Sequence, residues 1–208
     1  MANKKNKINF LCSACGDDFA KWNGQCPSCK EWGTLSEFKV LGNKNIKRSK
    51  ADYRDYKALN DILESDPGER ITTSMTEADR VLGGGLLPGS LLLLGGSPGV
   101  GKSTLALHIC SGVSKPILYV SAEESEEQVA IRAKRISVKP DNLHLSSEND
   151  LNGILMHIDR ISPAMVIIDS IQTIMNPDLD SLPGSPSQIR DCGQKFLEVS
   201  KQNNVIIM

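Results

Sequence analysis

Residues 96–103 read Gly96-Ser97-Pro98-Gly99-Val100-Gly101-Lys102-Ser103, and they match G-x-x-x-x-G-K-[ST] at every constrained position. Four leucines at 91–94 precede this loop, and a segment with helical spacing follows it. Glycines allow several backbone N–H groups to point at one anion, and the helix start adds its positive dipole end. We expect Lys102 to reach the β- and γ-phosphates and Ser103 to hold Mg²⁺. The loop predicts a nucleoside triphosphate site formed by residues 96–103 and Thr104.

Strand-like and helical segments alternate from Ile71 onward, which favours an α/β fold with a largely parallel sheet. We expect strands at 90–95, 116–121, 142–145, 164–169 and 205–208. Helices are expected at 102–112, 126–136, 150–161 and 188–203.

An apolar strand ends in Asp169, as the Walker B strand of a P-loop protein does. We therefore expect Asp169 to act with Ser103 at the Mg²⁺ ion. Two further strand candidates lie between the phosphate loop and Asp169 along the chain, a feature of RecA-like and AAA-like NTPases.

The first of these strands runs directly into Glu123 and Glu124. A carboxylate at the carboxyl end of a strand beside the phosphate loop is well placed to activate the attacking water. Alternatively, both acids are N-terminal charges that favour the next helix dipole. We assign catalysis to Glu123 and leave Glu124 to the helix.

Two C-x-x-C pairs, Cys12/Cys15 and Cys26/Cys29, are separated by ten residues and predict a tetrahedral metal site. Zinc is the expected ion, and iron is the alternative because four thiolates also suit it. We interpret Trp22 and Trp32 as packing around the metal knuckles, with stacking on nucleic-acid bases as the alternative.

Charge is uneven along the 208 residues: residues 1–60 carry twelve Lys/Arg and six Asp/Glu, whereas residues 61–208 carry twelve and nineteen. This hints at a polyanionic partner, although a solvated surface explains it equally well. We find no apolar run near the ~20 residues of a membrane span and no signal peptide, so a cytoplasmic protein is expected. Cys110 and Cys192 are interpreted as small buried apolar residues.

These observations suggest three segments: a zinc ribbon at 1–38, a linker at 39–70 with local helix around 53–63, and an ATPase domain at 71–208. The polar segment at 176–187 follows the Walker B strand directly. In RecA-like proteins this region contacts DNA, and a flexible surface loop is the alternative interpretation. Arg190 and Lys195, on the helix that follows, are interpreted as solvated charges, with contacts to phosphates as the alternative.

Several motifs occur in one order and carry a resemblance to a known family. They are the ribbon with Trp22-x-Gly24-x-Cys26-Pro27-x-Cys29-x-x-Trp32, then Leu82-Gly83-Gly84-Gly85-Leu86-x-Pro88-Gly89-Ser90, the phosphate loop, Tyr119-Val120-Ser121-Ala122-Glu123-Glu124-Ser125 and Ile168-Asp169-Ser170-Ile171-Gln172-Thr173. Together they resemble the RadA (Sms) family of bacterial recombination and DNA-repair ATPases.

The resemblance implies a RecA-like core that hydrolyses ATP, with Glu123 as the base that activates water. It implies stimulation by single-stranded and branched DNA, branch migration with the RecA recombinase, and a homo-hexamer. The family continues past the counterpart of Met208 with more of the core, a Lys-Asn-Arg-Phe-Gly motif and a Lon-protease-like domain. We therefore expect the chain to be an N-terminal fragment.

Two other functions stay open on the residues alone. One is a signalling or clock-like ATPase of the RecA superfamily with protein partners and no DNA. The other is a zinc-dependent interaction module attached to an inert nucleotide switch.

Overall fold

A computed structural model describes residues 7–40, 56, 58–60, 69–137 and 142–208 of the chain. The chain divides into two compact units, residues 1–67 with 185–187 and residues 68–184 with 188–208. The predicted linker at 39–70, with its local helix, lies mostly outside the described residues.

The smaller unit is a three-stranded antiparallel sheet in the order β2-β1-β3. Its strands are β1 (Lys7–Cys12), β2 (Asp18–Phe19) and β3 (Leu35–Val40). Its core consists of Cys12, Cys26 and Leu35, with four partly buried side chains against them: Phe10, Cys15, Phe19 and Cys29. So few apolar groups cannot stabilise a unit of this size without a further cross-link.

The larger unit is built on a four-stranded parallel sheet in the order β5-β4-β6-β7. Its strands are β4 (Ile117–Ser121), β5 (Leu143–Ser146), β6 (Met165–Asp169) and β7 (Ile206–Ile207). Its helices are α1 (Thr76–Val81), α2 (Lys102–Ser111), α3 (Glu126–Arg135), α4 (Leu151–Ile161) and α5 (Pro186–Asn203). The predicted α/β fold with a parallel sheet is confirmed, and α1 is an addition to it.

Alternate residues of the strands face two separate cores, as the two-residue period of a strand requires. Ile117 and Tyr119 of β4 face a core that contains buried residues of α2 and α3. Leu118 and Val120 face a second core, which contains buried residues of α4 and α5. The unit is therefore a three-layer α/β/α sandwich.

Local sequence explains where the helices begin. Ser125 and Gln128 form a reciprocal capping box at the start of α3. The carboxylate of Asp150 accepts from two backbone N–H groups at the start of α4. Gly85 has φ +121°, and a Cβ there would lie 2.7 Å from the carbonyl oxygen of Ile71, so only glycine fits.

The strand expected at 90–95 is wrong in its extent. Only a parallel bridge between Leu91 and Ile207 forms, with the N–H of Leu92 donating to Ile207 O and the N–H of Ile207 donating to Ser90 O. Residues 93–95 form no strand, and Leu93 is 89 % exposed.

The element between the phosphate-loop segment and the Walker B strand is β7, because β7 pairs with β6 on one side and bridges Leu91 on the other. The two strands that intervene along the chain, β4 and β5, lie on the far side of β6. Chain order therefore does not give spatial order here. No helix among the described residues is long and apolar enough to cross a membrane.

Candidate nucleotide site and metal centre

The phosphate loop lies at the carboxyl edge of the sheet and leads directly into α2. Gly99 and Gly101 have φ values of +78° and +95°, which place them in the left-handed region that favours glycine. Gly101 is the N-cap of α2, so Lys102 and Ser103 are its first residues. Lys102 Nζ donates to Gly96 O at 2.8 Å and to Ser97 O at 3.0 Å. The loop and the first turn of α2 together form a cationic nest for phosphate.

Asp169 is the last residue of β6 and is half-buried at the same edge of the sheet. Its Oδ2 accepts a 2.6 Å hydrogen bond from the phenol of Tyr119 on the neighbouring strand β4. Tyr119 is 1 % exposed, and its burial, aided by the Asp169 carboxylate, raises the pKa of the phenol far above its ordinary value. The phenol is therefore a permanent donor that fixes the orientation of Asp169.

Glu123 follows the end of β4 and is exposed. Its Oε1 accepts a 2.9 Å hydrogen bond from the hydroxyl of Ser170, which follows Asp169. The register pairs Ser121 with Asp169, so the two carboxylates leave the sheet from adjacent strand ends. Ser170, at the end of β6, thus holds the carboxylate of Glu123, at the end of β4.

Glu124 occupies a different environment from its neighbour. Its carboxylate forms an ion pair with Arg132 on α3. Ser125 is the N-cap of α3, so Glu124 precedes the helix and meets it through this ion pair. The structure therefore separates the two acids, since Glu123 lies at the strand ends and Glu124 is tied to the helix.

The sheet brings the predicted site residues to one edge without joining all of them. Within the described part of the chain, Lys102 and Asp169 form no ion pair with each other. The roles assigned to residues 96–104, Asp169 and Glu123 stay predictions, although their common location is what those roles require.

The segment at 176–187 is anchored to α5. The fully buried Gln188 accepts from the N–H of Asn176 at 2.8 Å and donates to Asn176 O at 3.1 Å and to Ser181 O at 2.9 Å. The Asn176 amide also donates to Asp191. Leu182 is 81 % exposed. On α5, Arg190 and Lys195 are exposed, and Lys195 pairs with Glu198 at 3.6 Å.

The four ribbon cysteines converge on one point, with every pair of Sγ atoms within 4.8 Å. Cys12 Sγ lies 3.6 Å from Cys29 Sγ, and Cys15 Sγ lies 3.7 Å from Cys26 Sγ. Ligands about 2.3 Å from a tetrahedral ion are about 3.8 Å apart, so the cluster has the size that zinc requires. These four residues fit the predicted metal centre.

Trp22 and Trp32 lie against Gly24, beside the second cysteine pair, but do not enter the core around the cysteines, so their packing role stays a prediction. The indoles are 61 % and 74 % exposed, and the small core around the cysteines contains neither. By contrast, Cys110 and Cys192 are buried, as expected, and burial raises the pKa of the Cys110 thiol to about 12.

Three residues with a direct bearing on the site were not predicted for these roles. They are Tyr119, Ser170 and Arg132. The available signal was the phenol in the buried strand β4, since Tyr119 faces the same side of the sheet as residues 165, 167 and 169 of β6. That inference needs the register of the two strands, which the sequence does not provide.

Comparisons with known proteins agree with this architecture. Residues 63–208 match the family described as AAA domain, and residues 10–37 match the Rubredoxin metal binding domain. A KaiC-like protein from Pyrococcus horikoshii OT3 shares the fold, with a TM-score of 0.54 at 20 % identity over 68 % of this chain and 69 % of that one. The chain therefore belongs to the AAA domain family of P-loop proteins.

Several curated relatives that match nearly the whole chain are named DNA repair protein RadA. The Listeria monocytogenes protein is 40 % identical over 100 % of this chain and 46 % of its own length. The Rickettsia bellii protein is 42 % identical over 98 % of this chain and 46 % of its own length, and the Bacillus subtilis protein is 37 % identical with the same shares. The chain spans about half the length of these relatives, and the resemblance to the RadA family is confirmed.

Proposed function

We propose that the protein is an ATPase of recombinational DNA repair that hydrolyses ATP in response to DNA. The observation that carries the proposal is the meeting of Asp169 and Glu123 at adjacent strand ends, on the edge of the sheet where the phosphate loop lies. The relatives named RadA support the assignment to DNA repair.

The phosphate loop binds the nucleotide through backbone N–H groups, and Lys102 places its ammonium against the β- and γ-phosphates. Its contacts with Gly96 O and Ser97 O already keep that ammonium at the loop. Ser103 and Asp169 are the residues that would hold Mg²⁺, which neutralises charge that develops on the phosphate oxygens. Tyr119 keeps the Asp169 carboxylate turned toward one orientation.

Glu123 orients the lytic water and accepts its proton as oxygen attacks the γ-phosphorus, which releases ADP and inorganic phosphate. Ser170 supports this role because its hydroxyl fixes one carboxylate oxygen and leaves the other for water. The Glu124 carboxylate is engaged by Arg132, so it is the weaker candidate.

In the ribbon, zinc is the ion we propose, held by Cys12, Cys15, Cys26 and Cys29. It supplies the cross-link that the small core lacks, because metal binding of this kind contributes directly to folding. Iron in the same four-thiolate cage is the alternative, and it would give visible absorption that zinc lacks.

The partners we propose are single-stranded and branched DNA and the RecA recombinase, with branch migration as the outcome. A homo-hexamer in the cytoplasm is the proposed working form. These properties rest on the RadA relatives, twice the length of this chain, and not on contacts within it.

A titration of ATPase rate with nucleic acid in the full-length protein tests the function. We expect single-stranded DNA to raise the rate and added salt to weaken the effect, as contacts with phosphates require. An unchanged rate at low salt would overturn the proposal and favour a signalling or clock-like ATPase with protein partners. A rate of zero under all conditions would favour the inert nucleotide switch.

A further inference from the structure

Two indoles lie side by side on the surface of the metal ribbon. Both approach the backbone of Gly24, where a Cβ would lie 3.6 Å from Trp32 Cζ3 and 3.8 Å from Trp22 Cη2. Trp32 is bridged to Gln25 in antiparallel fashion, and Gly33 N–H donates to Gly24 O at 2.9 Å. These backbone contacts hold Trp32 beside the second cysteine pair, and Trp22 approaches the same glycine; we call Trp22 and Trp32 the indole pair.

Apart from their approach to Gly24, the indoles take no part in the core of the ribbon. With 61 % and 74 % of their surfaces exposed, the rings leave the core to Cys12, Cys26 and Leu35. Tryptophan is among the most apolar side chains, and two of them together in water are costly unless a partner covers them.

We propose that the indole pair is a base-stacking platform for single-stranded DNA. This inference rests on the proposed DNA-dependent function and assigns to it a contact site outside the nucleotide domain. Aromatic side chains bind successive bases through their faces without regard to sequence, which suits a repair protein that acts on any DNA.

The surroundings of the pair favour a base over a protein surface. The exposed side chains next to it in the chain are polar: Lys21, Asn23, Gln25, Lys30 and Glu31. Within the described ribbon residues 9–37, the indoles are the only exposed large apolar side chains. A protein interface needs a broader apolar core, whereas a base needs one flat face and polar edges.

The charges near the indoles also favour single-stranded DNA as the partner. Lys21 precedes Trp22, and Lys30 lies two residues before Trp32, so each indole has a cation near it in the chain. Both lysines are exposed, so the phosphates of a strand whose bases stack on the indoles find cations on the ribbon itself.

The test uses the zinc-loaded 208-residue chain, in which these are the only two tryptophans. We expect a 20-nucleotide oligothymidylate to quench the indole emission on binding at low salt. Trp22→Ala and Trp32→Ala should each weaken binding of a labelled oligonucleotide by about tenfold, and the Phe variants should retain most of it. Lys21→Ala should reduce the salt slope by about one. Val81→Ala, an exposed apolar change outside the ribbon, is the matched control.

Zinc content measured on every variant shows whether the ribbon is intact. If an Ala variant loses zinc, quenching of the indole emission in the unsubstituted chain shows whether DNA contacts the indoles. Binding of DNA without a change in emission, or parental affinity in zinc-loaded Ala variants, would overturn the platform. If DNA still stimulates the ATPase of the full-length protein, the proposed function survives that result. No binding of DNA and no stimulation would overturn both.

Discussion

The phenol of Tyr119 donates a 2.6 Å hydrogen bond to Asp169 Oδ2 across the neighbouring strands β4 and β6. The donor is buried on the face of the sheet that packs against α2, the helix that begins at the phosphate loop. The predicted Mg²⁺ ligand is thus held from within the core.

Tyr119→Phe removes this donor and keeps the ring. We expect the free energy of unfolding to fall by about 1–2 kcal/mol, because Asp169 loses a buried partner. The apparent Mg²⁺ affinity of the nucleotide complex should fall by about tenfold or more, as for other groups that orient a metal ligand. A Mg²⁺ titration of nucleotide binding measures this effect, and unchanged Mg²⁺ dependence would contradict it.

The raised pKa of Tyr119 also predicts a pH dependence. An unfolded tyrosine ionises near pH 10, whereas the folded one keeps its proton. Its contribution to stability is therefore complete below about pH 10 and is lost as the pH rises further. Denaturant unfolding from pH 9 upward should show a shallower decline for Tyr119→Phe than for the parent.

Glu123→Gln keeps the size of the side chain and removes its charge. In the full-length protein, nucleotide should still bind while turnover falls by about 10²-fold or more, the range of general-base contributions. Glu124→Gln is the matched control and should retain turnover, although loss of its ion pair with Arg132 should lower stability. The reverse pattern would mean that Glu124 is the catalytic base.

Ser170→Ala tests whether the 2.9 Å contact with Glu123 positions the catalytic group. We expect kcat to fall by about tenfold with little change in KM for ATP, because binding of the ground state does not use this contact. In a double variant that carries Ser170→Ala and Glu123→Gln, the two reductions in kcat should not add. Ser111→Ala, at the end of α2, is the control, and full additivity would show that Ser170 acts independently.

Lys102→Ala should abolish hydrolysis because it removes the cation at the β- and γ-phosphates. Affinity for ADP should fall less than affinity for ATP, since the backbone nest remains. Calorimetric titration with both nucleotides measures the difference. Lys134→Ala, an exposed lysine on α3, should leave both affinities unchanged. Parental ATP affinity and turnover in the Lys102 variant would exclude the phosphate-loop assignment.

The ribbon should hold one zinc ion per chain, and Cys12→Ser should remove it while nucleotide binding persists in the other unit. Chelation should make four thiols reactive to a thiol reagent. Cys110 and Cys192 should react only after denaturation, because both are buried. Six reactive thiols in the chelated, undenatured chain would contradict this assignment, as would metal-replete protein without stoichiometric zinc.

Local patterns account for what the sequence predicted well. The phosphate loop, the strand that ends in Asp169 and the two cysteine pairs each depend on residues close together in the chain. Contacts between segments that are distant in the chain could not be predicted from the sequence. The contact of Tyr119 with Asp169 depends on the register of β4 and β6, and the exposure of the two indoles depends on how little the ribbon core can cover. The domain boundaries and the catalytic roles stay predictions.

The strand β7 sets the distance between the start of the phosphate-loop segment and the strand that carries Asp169. It lies between Leu91, at the root of the phosphate loop, and β6, which carries Asp169. Two strand spacings of about 4.8 Å separate those backbones by about 10 Å. Ile206 and Ile207 are buried, and their packing sets the distance between the backbones of Leu91 and β6. Substitutions of Ile206 or Ile207 should therefore alter catalysis without touching the site, because they change the distance between the phosphate loop and Asp169.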